Sequence, residues 1–259
     1  MTKTSTAMVK YEQELAKMAE EAAAMEAGVG GSAFFSLRGG TLSLGGAPLP
    51  NDEMACVLID SVLENAYYVD AFDAENQSSP ACYAFGRDQD EMAPEDTVED
   101  KQNDTCAGCP MNEFGSADRG RGKKCGNRRR IACIPAGTLD KSGSFEAFND
   151  PDAFAKAPVA YLRLPPTSLK SYAQYVKQIA GALKRPPSMV FTKVSLIESE
   201  KVMFMVCFEL LDPVPNELIP VLLERHKAEM ELITFPYQKI EREAKGGKDR
   251  RPEKRARKY

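Results

Sequence analysis

Hydrophobic and polar positions repeat at short periods over much of this chain, and each period names an element. In residues 32–50, SAFFSLRGGTLSLGGAPLP, two short strand-like runs flank Gly39-Gly40, the pattern of a hairpin. Met54 to Ile59 is a continuous apolar run suited to a buried strand, and the stretch it opens ends on Tyr67 and Tyr68. Further on, RRIACIPAG and PVAYLRLPP read as strands. TSLKSYAQYVKQIAGALK reads as a helix with Thr167 or Ser168 as its N-cap and Leu169, Tyr172, Val176, Ile179 and Leu183 on its buried stripe. Two strands come next, MVFTKVSLI and KVMFMVCFEL, joined by ESE, with Val202, Phe204, Val206 and Phe208 on one face. A last helix spans about Asn216 to Leu232.

Two regions break this picture. Residues 5–27 space Met8, Tyr11, Leu15, Met18, Ala22 and Met25 alternately by three and four, an a/d stripe closed by Gly28. It predicts a helical arm over residues 1–29 that docks on its own domain or mediates self-association. Residues 70–128 carry no sustained hydrophobic period, and so long a structureless stretch inside a compact domain needs something else to organise it. Strands, insertion, strands, helix, hairpin and helix in that order predict an α+β fold, mainly β. An OB-like Greek-key barrel over 30–212 is expected, with the insertion at 70–128 and a terminal helix at 213–238.

Composition changes the picture in two places. The chain has 259 residues and a formal charge of −4, but the charge is segregated. Arg87 to Asp104 reads RDQDEMAPEDTVEDKQND, whereas Arg119, Arg121, Lys123, Lys124, Arg128, Arg129 and Arg130 come after it without an acid among them, and residues 239–259 form a basic tail. No apolar run reaches the roughly 18 residues that suggest a membrane span, and the start lacks the apolar core of a signal peptide, so a cytoplasmic protein is expected. In that reducing compartment close cysteines point to metal or catalysis rather than disulfides.

Four of the seven cysteines fall in the insertion. Cys106 and Cys109 form a C-x2-C pair whose thiolates have the bite zinc requires, and Cys125 returns across a glycine-rich loop. Cys82 is the preferred fourth ligand because it would clamp both ends of the insertion, with Cys133, inside an apolar strand, as the alternative. Four thiolates would also suit an iron–sulfur cluster, although a closed structural zinc knuckle is the commoner way to hold a small insertion. Cys56 and Cys207 read as core.

No catalytic constellation emerges. The single histidine, His226, has no nucleophile indicated beside it and reads as a helix-surface residue, and phosphate-binding glycine motifs are missing. The chain therefore reads as a binding protein, not an enzyme. Single strands are held by cations that track phosphates and by rings on which bases stack. The arginines and lysines from Arg119 to Arg130 and the helical Lys170, Lys177 and Lys184 supply the first; Tyr67, Tyr68, Tyr83, Phe85 and Phe114 supply the second.

Cys82 followed by CAGCPMNEFGSADRGRGKKC within the expected barrel, then basic residues, resembles bacteriophage single-stranded DNA-binding proteins. The closest analogy is the T-even helix-destabilising type, with a zinc subdomain built into an OB core. The resemblance covers about residues 30–212. It implies sequence-independent coating of single-stranded DNA in replication or recombination, structural zinc held by Cys82, Cys106, Cys109 and Cys125, replication proteins as partners, and the host-cell cytoplasm. Two features depart from that pattern: the family's site includes a histidine, which this insertion lacks, and its acidic tail is replaced here by RRPEKRARKY. A zinc-stabilised adaptor in transcription or replication, and a nuclease using Asp90 and Glu91, are the rival expectations.

Overall fold

A computed structural model describes Met18 and residues 34–70, 78–118, 120–199 and 202–238. The predicted helical arm, Met18 apart, the basic tail and Arg119 lie outside the described residues.

The frame is one long strand, β4 (Glu53–Tyr67), to which the rest of the main sheet is attached. Three two-residue strands precede it, β1 (Phe35–Ser36), β2 (Ser43–Leu44) and β3 (Ala47–Pro48), as a small antiparallel sheet that includes the predicted Gly39-Gly40 hairpin. Gly40 has a φ of 77°, and a side chain there would overlap the Phe204 ring, so the turn needs glycine twice over. Along one edge β4 pairs antiparallel with β6 (Cys125–Pro135). Its other edge is shared, because β10 (Val190–Ser199) takes Glu53 to Cys56 and β5 (Cys82–Gly86) takes Leu63 to Tyr67. β7 (Gly137–Leu139) and β8 (Phe145–Ala147) pair apart from it, and with β9 (Ala160–Leu164) and β11 (Met203–Pro213) the strand order is β11-β10-β4-β6-β9.

This is α+β and mainly β, but it is not the expected closed barrel. Among the described residues β11 and β9 end an open sheet, whose two faces are both covered. Helix α1 (Pro151–Lys156) and helix α3 (Ile219–Leu232) cover one face. Helix α2 (Leu169–Leu183) covers the other with Tyr172, Tyr175 and Ile179. Burial on both sides is why MACVLI and IACI read as unbroken apolar runs. No helix among the described residues is long and apolar enough to cross a membrane.

A bulge in β4 governs which side chain goes where. The register with β6 slips between Leu58 and Asp60, so one residue goes unmatched and the facing parity reverses. Before the slip, Val57 and Ile59 face the α1/α3 core; after it, Val62 and Ala66 do. His226 sits at the slip, its Nδ1 2.8 Å from the Ile59 carbonyl oxygen, so Nδ1 carries the proton and donates. The predicted surface histidine is therefore a part-buried cap on irregular backbone.

The reversal also turns Glu64 inward, where it is fully buried. Its carboxylate accepts from Arg130 Nε at 3.2 Å, Arg163 Nε at 2.8 Å and the Tyr237 hydroxyl. Arg130 donates as well to the carbonyls of Ile233 and Phe235, each at 2.9 Å, and lies 4.2 Å from the Phe85 and Phe235 ring centroids. The segment after α3, residues 233–238, is thereby strapped across the sheet. Removing one partner from a buried pair of this kind costs about 3–5 kcal/mol. Glu64→Gln is expected to lower the unfolding free energy by about that amount in urea titration; a loss below about 1 kcal/mol would show that the charge cluster does not hold the strap.

Candidate metal centre and nucleic-acid interface

The four insertion cysteines meet at one end of the sheet. Register places both Cys82 of β5 and Cys125 of β6 opposite Tyr67 of β4, on the same face as the opposed pair Asn65 and Asn127. Cys106 and Cys109 arrive from the loop. Their segment is pinned by Cys106 N–H to the Met92 carbonyl at 2.8 Å, and Asn112 Nδ2 donates to the Cys106 carbonyl at 2.8 Å. Asn127 links the pieces, donating to Asn65 Oδ1 at 2.7 Å and to Asn112 Oδ1 at 2.9 Å.

All four cysteines line a cavity of about 20 Å³, which is room for one water-sized body. All are free thiols. Burial raises the Cys82 and Cys106 thiols above the ordinary range and pushes Cys125 to about 12, and their charges would add to one another. Two donors work against burial: the Gln102 backbone N–H toward Cys82 and the Asn65 amide toward Cys106. Hydrogen bonds of this kind favour the thiolate. A soft tetrahedral ion suits such a donor set. The sulfurs line the cavity without closing on one point, and among the described residues no group of three or more His, Cys, Asp or Glu side chains is arranged to hold a metal ion. Cys133 lies elsewhere, buried beside Cys56 under α2.

Beyond the thiols, residues 113–118 and 120–124 fold back on each other. The Gly115 and Ala117 amides donate to the Gly122 carbonyl at 2.9 and 3.2 Å, and the Lys124 amide donates to Ser116 Oγ at 3.0 Å. Phe114 is at this tip, 83% exposed, with Lys123 Nζ 4.8 Å from its ring centroid. Arg121 is exposed, Lys123 and Lys124 are half-buried, and Lys124 pairs with Asp118 at 2.7 Å.

The other predicted contacts divide by face. Arg129 lies on the thiol side, 3.0 Å from Ser61 Oγ and 5.4 Å from the Tyr172 ring in the first turns of α2. Lys170, Lys177 and Lys184 are exposed, and their seven-residue spacing forms a line of about 21 Å along the helix. Arg128 lies 6.0 Å from the Tyr68 ring, and Tyr67 and Tyr68 are half-buried. Tyr83, Phe85 and Arg130 are inside the strap at 7%, 8% and 1% exposure, so they are core and not surface contacts. Asp88, Asp90 and Glu91 are exposed along the loop.

Sequence reasoning overlooked the amide set Asn65, Asn112 and Asn127. The signal was present: Asn65 follows Glu64 between the apolar Leu63 and Ala66, and buried amides need partners. Elemental analysis is expected to find about one zinc per chain, lost in Cys82→Ser and Cys125→Ser and retained in Cys207→Ser, whose half-buried thiol lies on β11. Zinc retained by Cys125→Ser would remove that residue from the ligand set.

Compared with protein-family models, curated proteins and solved structures, the chain matches none.

Proposed function

We propose that this protein binds single-stranded DNA without regard to sequence, as a coating protein in replication or recombination. The observation that carries the reading is the shared face: the thiol cavity, Arg129 and α2 lie on one side of the sheet, with the exposed Phe114 tip beside the cavity. Phosphates would run along Arg121, Lys123, Lys124, Arg129 and the α2 lysines, while a base stacks on Phe114. Arg128, beside Tyr68, lies on the opposite face with Glu64 and is outside this path.

Zinc bound by Cys82, Cys106, Cys109 and Cys125 would supply a structural tie between the insertion and the ends of β5 and β6. The chain's own residues set the rest. Asn112 accepts from Lys123 Nζ at 3.2 Å while gripping the Cys106 carbonyl, so the cationic tip and the cysteine turn are positioned by one side chain. Gly115 and Gly120, at φ of 92° and 76°, let the tip turn tightly.

Fluorescence anisotropy with oligo-dT is expected to show binding at low salt that weakens steeply as salt rises. Phe114→Ala should weaken it by roughly 5- to 150-fold, the equivalent of about 1–3 kcal/mol for one lost stack. Arg121→Gln with Lys123→Gln should flatten the salt slope by about 1.4. A chain with no affinity for oligo-dT at low salt would end the proposal.

A further inference from the structure

At the end of the sheet away from the insertion thiols the strands part. β6 leaves β4 at Pro135, whose partner is Cys56, and the Ala136 N–H then donates to the Ala55 carbonyl at 3.0 Å as the chain turns into β7. β9 begins only at Ala160, opposite Cys133. Between the departing β6, the incoming residues 158–160 and the small β1–β3 sheet lies a cavity of about 540 Å³. It shares no described lining residue with the thiol cavity, and the two ends of β4 are about 45 Å apart along the strand. Close-packed interiors seldom leave such a space, whereas small-ligand pockets run from roughly 300 to 1,000 Å³.

The lining is graded from apolar to polar. Its floor is core: Cys56, Cys133 and Ile134 are all but fully buried, both thiols are free, and Met54 lies beside them. A thioether and two thiols make a soft, adaptable apolar surface. Phe35 is the single ring among the described lining residues, which suits an aliphatic ligand better than a stacked aromatic one. Pro50, Pro135 and Pro158 supply no N–H, and no lysine or arginine is among the described lining residues. An anion entering here would exchange its water for a wall poor in donors and without a cation, which is unfavourable.

Polar groups collect at the mouth, where Asn51 and Thr138 are exposed and Glu53 is half-buried. Glu53 is the one charged residue of the described lining. Lys193 Nζ lies 3.5 Å from its carboxylate and 3.1 Å from that of Glu209. One ammonium thus serves two carboxylates, and an excess negative charge remains at the opening. We propose that this cavity binds a single-chain aliphatic amine, with the hydrocarbon tail on the thiol floor and the ammonium at Glu53. The site is separate from the single-strand surface and does not depend on that reading.

The chain contains no tryptophan, so Thr138→Trp places a lone fluorescent reporter at the mouth. Decylamine, decanol and decanoate, each below its micelle concentration, share one tail and differ in head charge. Decylamine is expected to shift the emission saturably, at one equivalent per chain. Decanol should bind about 2- to 5-fold more weakly, the worth of one part-exposed ion pair, and decanoate more weakly still. Octylamine should bind about 15-fold more weakly than decylamine, at about 4-fold for each methylene removed. Glu53→Gln in the reporter chain should bring decylamine to the decanol value and leave decanol unchanged. Phe114→Trp, at the far end of the sheet, should show no shift. In the unsubstituted chain decylamine, and not decanoate, should raise the unfolding temperature.

Decanoate binding as tightly as decylamine, equal shifts from the two reporters, or no rise in unfolding temperature would each overturn the proposal. Tighter decylamine binding after Leu15→Asp in the full chain would give the cavity to the chain's own N-terminal stripe, and overturn it too. Uptake seen only as a dimer dissociates in sedimentation would give the cavity to a second copy, with the same consequence. None of these outcomes bears on oligo-dT affinity, so the two proposals fail separately.

Discussion

One unmatched residue in β4 decides what each side of this protein can do. Without the slip between Leu58 and Asp60, every side chain from Ser61 to Tyr67 would change faces. Glu64 would leave its two guanidiniums, and Asn65 and Tyr67 would turn away from the thiols. A bulge leaves backbone groups outside the ladder, and an unpaired buried carbonyl is costly. His226 meets that cost by donating to Ile59. Asp60, pulled aside at the same point and 8% exposed, is held by both terminal nitrogens of Arg87 at 2.9 and 2.5 Å. The two sites on opposite faces thus share one origin.

Electrostatics inside the strap shows why arginine is required there. One carboxylate faces two guanidiniums, so the cluster carries excess positive charge in a place where isolated charge is very unfavourable. The excess is offset by carbonyls and π faces. Arg130 uses its Nη1 on two chain carbonyls and lies between Phe85 and Phe235, while Arg163 lies 4.4 Å from Phe34 and 5.0 Å from Tyr237. A lysine could neither fork between a carboxylate and carbonyls nor stack flat on rings. The same chemistry that made Arg130 resemble a phosphate contact makes it a suitable core cation.

What could be read from the sequence was local, and what could not was long-range. The β10–β11 hairpin, the stripe of α2 and the last helix arise from periods within ten to twenty residues, and each is present, although Glu198 and Ser199 of the expected ESE link belong to β10 and Val202 precedes β11. The cysteine segment was legible because thiols at fixed spacing are rare in such loops. The open strand order was not, since it depends on β4 dividing one edge between β10 and β5, partners more than a hundred residues apart. The six residues of α1 are too few to show a period. Tyr83, Phe85 and Arg130 were assigned to the surface because they border a polar insertion. Their inward direction is set by the slip in β4 and by Phe235 and Tyr237, which approach from the far end of the chain.

The insertion itself is the remaining physical problem. Between Arg87 and Lys124 only Met92, Pro94, Val98, Cys106 and Cys109 are buried among the described residues, too little apolar surface to offset the ordering of so many residues at about 1–2 kcal/mol each. Backbone hydrogen bonds to Met92, Cys106 and Gly122 give it shape but little net stability once exchange with water is counted. An ion gripped by four thiols, two of them at strand ends already fixed by the sheet, would close the segment into short loops and supply what the core cannot. It would also relieve the conflict among the sulfurs, whose burial and proximity now oppose their ionisation. Exposing Phe114 at the tip of such a segment has a cost without a fold-level return, which a base stacked on it under the proposed single-strand reading would offset.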